Sequence, residues 1–237
     1  MADAAKATDK KDQVLSQCAH EVRNAISVIL GYGRMFERLG PVNDSQRKAA
    51  GEIVNSAGKL KILADEMSQL ARLMVGGTTF ARIRIDLAPL IAAEIPSVPP
   101  GLDATVGIQM IDGAPSVAVS GDAGLLRQAL NGLMFTHRRE LVSPNDLCVA
   151  IDRMAAGDKP AIRVTIGGAD RFAEMRRLPT SELEPLIELR GGVGLRLSIA
   201  RHVIERHGGR TLSKTEPGAT TEAQPTLVGA VVILPEC

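Results

Sequence analysis

Aromatic residues are scarce in this chain. Phe, Tyr and Trp make up 2% of its 237 residues, with no Trp and a single Tyr. The stacking platforms that bind single-stranded nucleic acid are therefore missing. Charge bias is also missing: 28 Lys and Arg against 27 Asp and Glu give a formal net charge of +1. A basic nucleic-acid footprint is not expected from such a balance. Cysteine is sparse and odd in number. Cys18, Cys148 and Cys237 are far apart and form no CxxC. That usage fits a reducing compartment rather than a disulfide scaffold, and Cys18 reads as a small packing residue. No stretch reaches the roughly 18 apolar residues of a membrane span. The N-terminal MADAAKATDKKDQ is polar and has no apolar signal core. The expectation is a cytoplasmic chain with neither membrane nor nucleic acid as partner. Its 45% hydrophobic and 23% charged residues leave an ordinary globular balance, with room for one large domain or two small ones.

Against these absences stands a regular apolar seam. Leu15, Cys18, Val22, Ala25, Ile29, Tyr32 and Phe36 recur at alternating steps of three and four. That is the a/d pattern of a bundle helix. Residues 20–24 read His-Glu-Val-Arg-Asn. His20 lies off the seam and is expected to face solvent, with Glu21 beside it. Asn24 follows one turn later on the same side. A zinc-protease motif is excluded, because it needs a second His where position 24 is Asn. Taken alone, such a polar pentapeptide is most often plain solvated surface. An exposed imidazole flanked by a carboxylate and an amide nevertheless suits phosphoryl chemistry on histidine.

The first helix is expected from about residue 11 to 39, ended by Gly40-Pro41. Asn43-Asp44-Ser45 offers caps for a second helix. That helix carries Ile53, Ala57, Leu60, Ala64, Met67, Leu70 and Met74 at the same spacing and stops at Gly76-Gly77. Two long helices with a short connection make an antiparallel hairpin. One hairpin covers only part of its apolar surface, so a homodimer forming a four-helix bundle is expected. From about residue 80 the period changes. Residues 106–110 and 117–119 read as strands, 122–139 as a helix, and 147–153 with 161–166 as a hairpin turning at Ala156-Gly157-Asp158. A helix over 195–206 closes at Gly208-Gly209, and a strand over 228–234 follows. The fold class is therefore α+β: a helical hairpin over 1–76, then a sandwich over 77–237.

Ser16 to Leu30, SQCAHEVRNAISVIL, closely resembles the H-box of bacterial sensor histidine kinases. GGVGLRLSIARHVIERHGGR at 191–210 resembles the family's last glycine box and the helix after it. The resemblance implies a GHKL-type domain in which Gly191, Gly192 and Gly194 bring backbone N–H groups near nucleotide phosphates. Arg196 stands where another glycine is usual, and either meets phosphate or occludes the pocket. The asparagine box departs further. Its anchor Leu126-Arg127-Gln128 is present, but Gly132 and Thr136 replace the family's two asparagines, the second of which holds magnesium. Asn131 is one residue out of register, or about 100° around a helix. The adenine-reading Asp-x-Gly-x-Gly is absent: Gly167-Gly168-Ala169-Asp170 follows the strand instead. FAEMRRLPTSELEPLIEL, a short helix and turn, replaces the lid segment.

This pattern looks like the dimeric histidine phosphotransferases, which relay phosphoryl groups between receivers without ATP. The resemblance implies that His20 accepts and donates the phosphoryl group. Glu21 then bonds the ring nitrogen that does not attack, Arg23 offsets phosphate charge, and Asn24 orients a water. The partner is a response-regulator receiver presenting an aspartate and its own magnesium, docked near His20 on apolar positions such as Ile26 and Val28. No cofactor or metal of the chain's own is expected. The lack of an attached sensor region fits the same expectation. Two alternatives stand: an ATP-dependent kinase with a divergent ATP site, and a non-catalytic module that sequesters a receiver. Of the other histidines, His202 and His207 are five residues apart and share no face, so no metal site is expected. His202, Arg201 and Glu205 read as solvated, and Arg138-Arg139 as a cap on their own helix C-terminus.

Overall fold

The computed structural model describes residues 22–36, 38, 43–75, 80–111, 116–188, 190, 192–217 and 225–237. Its contacts divide the chain into two compact units, Met1–Thr79 and Phe80–Cys237. The sequence reading put that boundary at 76/77.

Unit one is helical over residues 22–36 (α1) and over Asp44–Val75 (α2). Asn43 and Gln46 start α2 with a reciprocal capping box. Gln46 N–H donates to Asn43 Oδ1 at 2.8 Å, and Asn43 N–H donates to Gln46 Oε1 at 3.0 Å. Arg23 meets Asp65 and Ser68, while Gly33 faces a methyl of Val54, so the two helices run antiparallel. Ala50, Ala57, Ala64 and Ala71 are all buried and stand seven residues apart, forming one stripe of small side chains along α2. A Cβ on Gly33 would come within 2.8 Å of Val54, so the backbones approach closely there.

This packing corrects the expected seam. Ile26 and Gly33 are the buried residues of α1. The a/d residues are exposed: Val22 by 45%, Ile29 by 45%, Tyr32 by 66% and Phe36 by 48%. On α2, Ala57 and Ala64 are buried, but Ile53, Leu60 and Met74 are about half exposed. The small-residue stripe sets the hairpin interface, and the large apolar residues line a separate face. The expected docking position Ile26 is likewise corrected, because it is 3% exposed inside the hairpin. Val28 remains on the surface.

Unit two opens with strand β1 (Ile83–Asp86), which pairs antiparallel with β3 (Ala118–Gly121). Helix α3 (Leu87–Glu94) follows β1 and was not anticipated. Asp86 caps it by accepting from Ala88 N–H. The main sheet has six strands: β2 (Ile108–Met110), β4 (Leu147–Ala156), β5 (Lys159–Gly168), β8 (Thr226–Pro235), β7 (Arg210–Glu216) and β6 (Glu184–Pro185), in that spatial order. Only the β2–β4 pairing is parallel among its ladders. The β4–β5 hairpin is longer than expected and turns at Gly157, whose φ of +63° suits glycine.

Side chains alternate across this sheet. Val149, Ile151, Ile162, Val164, Ile166 and Val232 form one buried face, on which helix α4 (Ala123–Glu140) lies. Helix α6 (Arg196–Arg206) packs beside α4. The opposite face carries Cys148, Ala150, Ala161, Val231 and Ile233. Helix α5 (Phe172–Arg177) and the turn after it cover that face. Phe172 packs on Cys148 and Ala150, and Met175 and Leu183 pack on Ala161, Val231 and Ile233. Each such side chain contributes about 1.5–3 kcal/mol when fully buried. The segment standing in place of a lid is thus a fixed third layer. Arg163 fastens it: Nη1 donates to Leu178 O at 2.6 Å and Nη2 to Met175 O at 2.8 Å, at the C-terminal end of α5.

Candidate functional site

His20 and Glu21 lie outside the described residues. Of the remaining candidates on α1, Asn24 is exposed, whereas Arg23 is half-buried. Arg23 Nε donates to Asp65 Oδ1 at 2.6 Å and Nη2 to Ser68 Oγ at 2.9 Å. Arg23 therefore ties α1 to α2. With Asp65 half exposed, such a pair is worth about 0.2–1 kcal/mol.

In unit two the glycine-box residues and α4 meet directly. A Cβ on Gly132 would contact Arg196 Cβ and its carbonyl oxygen at 3.3 Å. The Arg196 guanidinium stacks over Phe135, 4.3 Å from the ring centroid. This cation–π contact holds the Arg196 head against α4. Thr136 is fully buried, and its hydroxyl donates to Gly132 O at 2.8 Å. Gly192 and Gly194 have φ of +77° and +64°, the left-handed region that glycine favours. A Cβ on Gly192 would strike the Arg139 guanidinium. Arg190, 9% exposed, clamps the same segment to α4 by donating to both Glu140 oxygens at 2.9 and 2.8 Å. Asn131 points away, donating to Glu94 Oε1 on α3 at 2.7 Å. Asp170 is held locally by Asn145 through two bonds of 2.9 and 3.1 Å.

Two other expectations are corrected. Arg138 does not cap its own helix; its guanidinium donates to the carbonyls of Val98, Pro99 and Val106 and stitches that loop to α4. Arg201 and His202 are half-buried rather than solvated. Arg201 pairs with Glu188 at 2.6 Å, and the His202 ring nitrogen Nδ1 bonds Ser198 O at 2.8 Å. The Arg190–Glu140 clamp and the Arg163 anchor escaped the sequence reading. Among the described residues no group of three His, Cys, Asp or Glu is placed to hold a metal ion. Nor is any described helix long and apolar enough to cross a membrane.

His207 joins α6 to the start of α4. Asp122 N–H donates to its Nε2 at 3.0 Å, so Nδ1 carries the proton and donates to Val203 O at 2.7 Å. Burial pushes its pKa below the ordinary 6.5, and burial does the same to His137. Both are held neutral in the fold. The unfolded chain therefore binds more protons below that value, and stability falls as pH drops through it. Thermal unfolding of the full chain should move to lower temperature between about pH 7 and about pH 5. His207→Gln, which does not titrate, should flatten that slope.

Taken together, the described geometry is a helical hairpin followed by a helix-backed mixed sheet. Residues 10–76 match the His Kinase A (phospho-acceptor) domain. The chain is histidine kinase-like, an H-box hairpin joined to a GHKL-like domain. It is 25% identical to the sensor protein VanS of Enterococcus faecium over 240 residues, covering 95% of this chain and 61% of VanS. It is 26% identical to the signal transduction histidine-protein kinase BaeS of Escherichia coli (strain K12) over 221 residues, covering 86% of this chain and 44% of BaeS. The chain thus spans less than two thirds of either relative. Among solved structures, full-length ShkA in complex with AMPPNP shares the fold, with a TM-score of 0.66 at 19% identity. That match covers 95% of this chain and 46% of ShkA.

Proposed function

We propose that this chain is a histidine phosphotransfer protein of a two-component system, exchanging phosphoryl groups between His20 and receiver aspartates. The observation that carries this reading is the direct seating of Arg196 and its backbone on Gly132, beside the sealed Thr136 hydroxyl. Gly132 and Thr136 stand where the family's asparagines would hold nucleotide and metal, and Arg196, where a glycine is usual, packs its backbone on Gly132 and its guanidinium on Phe135. On this reading the missing asparagines leave magnesium-ATP without its ligands, and the phosphoryl group comes from a receiver.

In the forward step the bond between phosphorus and the receiver's aspartate oxygen breaks, and the lone pair of one His20 ring nitrogen forms the new bond to phosphorus. Glu21 accepts a hydrogen bond from the other ring nitrogen and steadies the positive charge that develops. Arg23 acts at one remove, holding α1 to α2 beside the acceptor. Asn24 orients a water when the phosphoryl group is lost by hydrolysis. The receiver's own magnesium offsets charge in the transfer. The active form is a homodimer in the cytoplasm, where receivers are found.

A second reading, an ATP-dependent histidine kinase, draws on the comparisons: BaeS is named a histidine-protein kinase and ShkA was solved with AMPPNP, an ATP analogue. Calorimetry with ATP and magnesium separates the two. We expect no binding at sub-millimolar ATP. A micromolar isotherm, with label passing from the γ-phosphate to the chain, would put the kinase reading first.

A further inference from the structure

The face of the sheet remote from α4 holds a cavity of about 600 Å³ between β4, β5 and α5. That is the size of small-molecule sites, which run to about 300–1,000 Å³. Its charge is one-sided: the side chains of Arg163, Arg176 and Arg177 face a single carboxylate, Asp152, while Arg153, opposite Ile162 in the β4–β5 ladder, turns its guanidinium to the other face of the sheet. In a chain whose positive and negative residues nearly cancel, this is a local concentration of positive charge.

The carboxylate is already committed. Arg176 grips both Asp152 oxygens, Nε to Oδ2 at 2.9 Å and Nη2 to Oδ1 at 2.6 Å. Arg163 is 8% exposed, and its hydrogen bonds go to neutral acceptors: the Thr165 hydroxyl and the carbonyls of Met175 and Leu178. Its counter-charge is Asp152, opposite it on β4 and shared with Arg176, so two guanidiniums face one carboxylate. Arg177 is exposed at the mouth. Apolar surface completes the cavity: Ile111, Met154 and Phe172.

We infer that this cavity binds a small organic anion, its carboxylate or phosphate ester facing the arginines and its apolar body on Phe172, Ile111 and Met154. The site lies on the opposite face of the sheet from α4, so it is separate from the position a nucleotide would take. It gives unit two a ligand-binding role that does not involve ATP.

Titration of the full chain in magnesium-free buffer tests this, using phenyl phosphate, benzoate and inorganic phosphate as probes, with heat and amide NMR shifts as readouts. Phenyl phosphate or benzoate should bind, shifting the amides of Phe172, Ala173 and Arg177. The tighter of the two identifies the anionic group. Arg177→Glu should weaken binding by at least about tenfold, the loss of one charge-assisted hydrogen bond, with unchanged circular dichroism, whereas Arg153→Glu, on the other face of the sheet, should leave binding as it is. Three results would overturn the inference. Neither organic probe binds at millimolar concentration. Binding is indifferent to Arg177→Glu. Inorganic phosphate binds as tightly as phenyl phosphate.

Discussion

His20→Ala should remove all transfer of label from a phosphorylated receiver to this chain. His20 shares its heptad position with Ser27 and Arg34, both exposed on α1, so losing its imidazole should remove no apolar packing. The variant should keep its helicity and its oligomeric state. Transfer between aspartate and histidine needs alignment and charge compensation more than new covalent machinery, and the receiver's magnesium brings much of the latter. The one group that cannot be replaced is the ring nitrogen that takes phosphorus. Asn24, exposed on α1, should affect a different step, and Asn24→Ala should slow hydrolytic loss of label more than transfer. Acid-labile, alkali-stable label on the wild type and none on His20→Ala is the expected pair. Label persisting on the variant would assign the acceptor elsewhere. If no receiver labels the wild type, a module that binds receivers without chemistry becomes the better description.

The parts legible in sequence were those with local causes. Asn43, Asp122 and Gly157 punctuate helices and turns by their own chemistry, and each sits where its residue type predicts. The α4 helix, the β4–β5 hairpin and the closing helix and strand were visible through period alone. Helix α3 was not, because LAPLIAAE is short and apolar on several sides, and its cap Asp86 lies within a strand. The hairpin interface was misread for a related reason. Periodicity marks large residues, whereas the backbones of α1 and α2 approach along alanines and Gly33, which carry little hydrophobic signal. The candidate site divides in the same way. The departures at 132, 136 and 196 could be read position by position. What could not be read is that Gly132 and Arg196 lie together, so that the small residue on one helix lets the backbone of the other approach. The Arg163 anchor depends on a strand side chain meeting carbonyls twelve and fifteen residues later, which no local pattern encodes.

A charge placed on the exposed apolar stripe should dissociate the homodimer. Val22, Ile29 and Phe36 stand seven residues apart on α1, and Ile53, Leu60 and Met74 follow a matching spacing on α2. All six are 45–50% exposed in the single hairpin, although their spacing is that of a packed bundle seam. An exposed stripe of that length marks an interaction surface, and a second hairpin presents the same spacing in return. In a four-helix bundle Leu60 would be desolvated on every side. Leu60→Glu would then bury an unpaired carboxylate, which costs about 3–5 kcal/mol. Since about 1.4 kcal/mol is a factor of ten, the dimer should weaken by at least about a hundredfold. Sedimentation should show a dimer for the wild type and a monomer for Leu60→Glu at micromolar concentration, with Ile29→Glu behaving alike. Charging Val28, exposed on α1 but off this stripe, should leave the dimer intact. A wild-type chain that sediments as a folded monomer would show that the stripe serves another partner. Equal dissociation by Val28→Glu would show that the contact does not follow the a/d spacing.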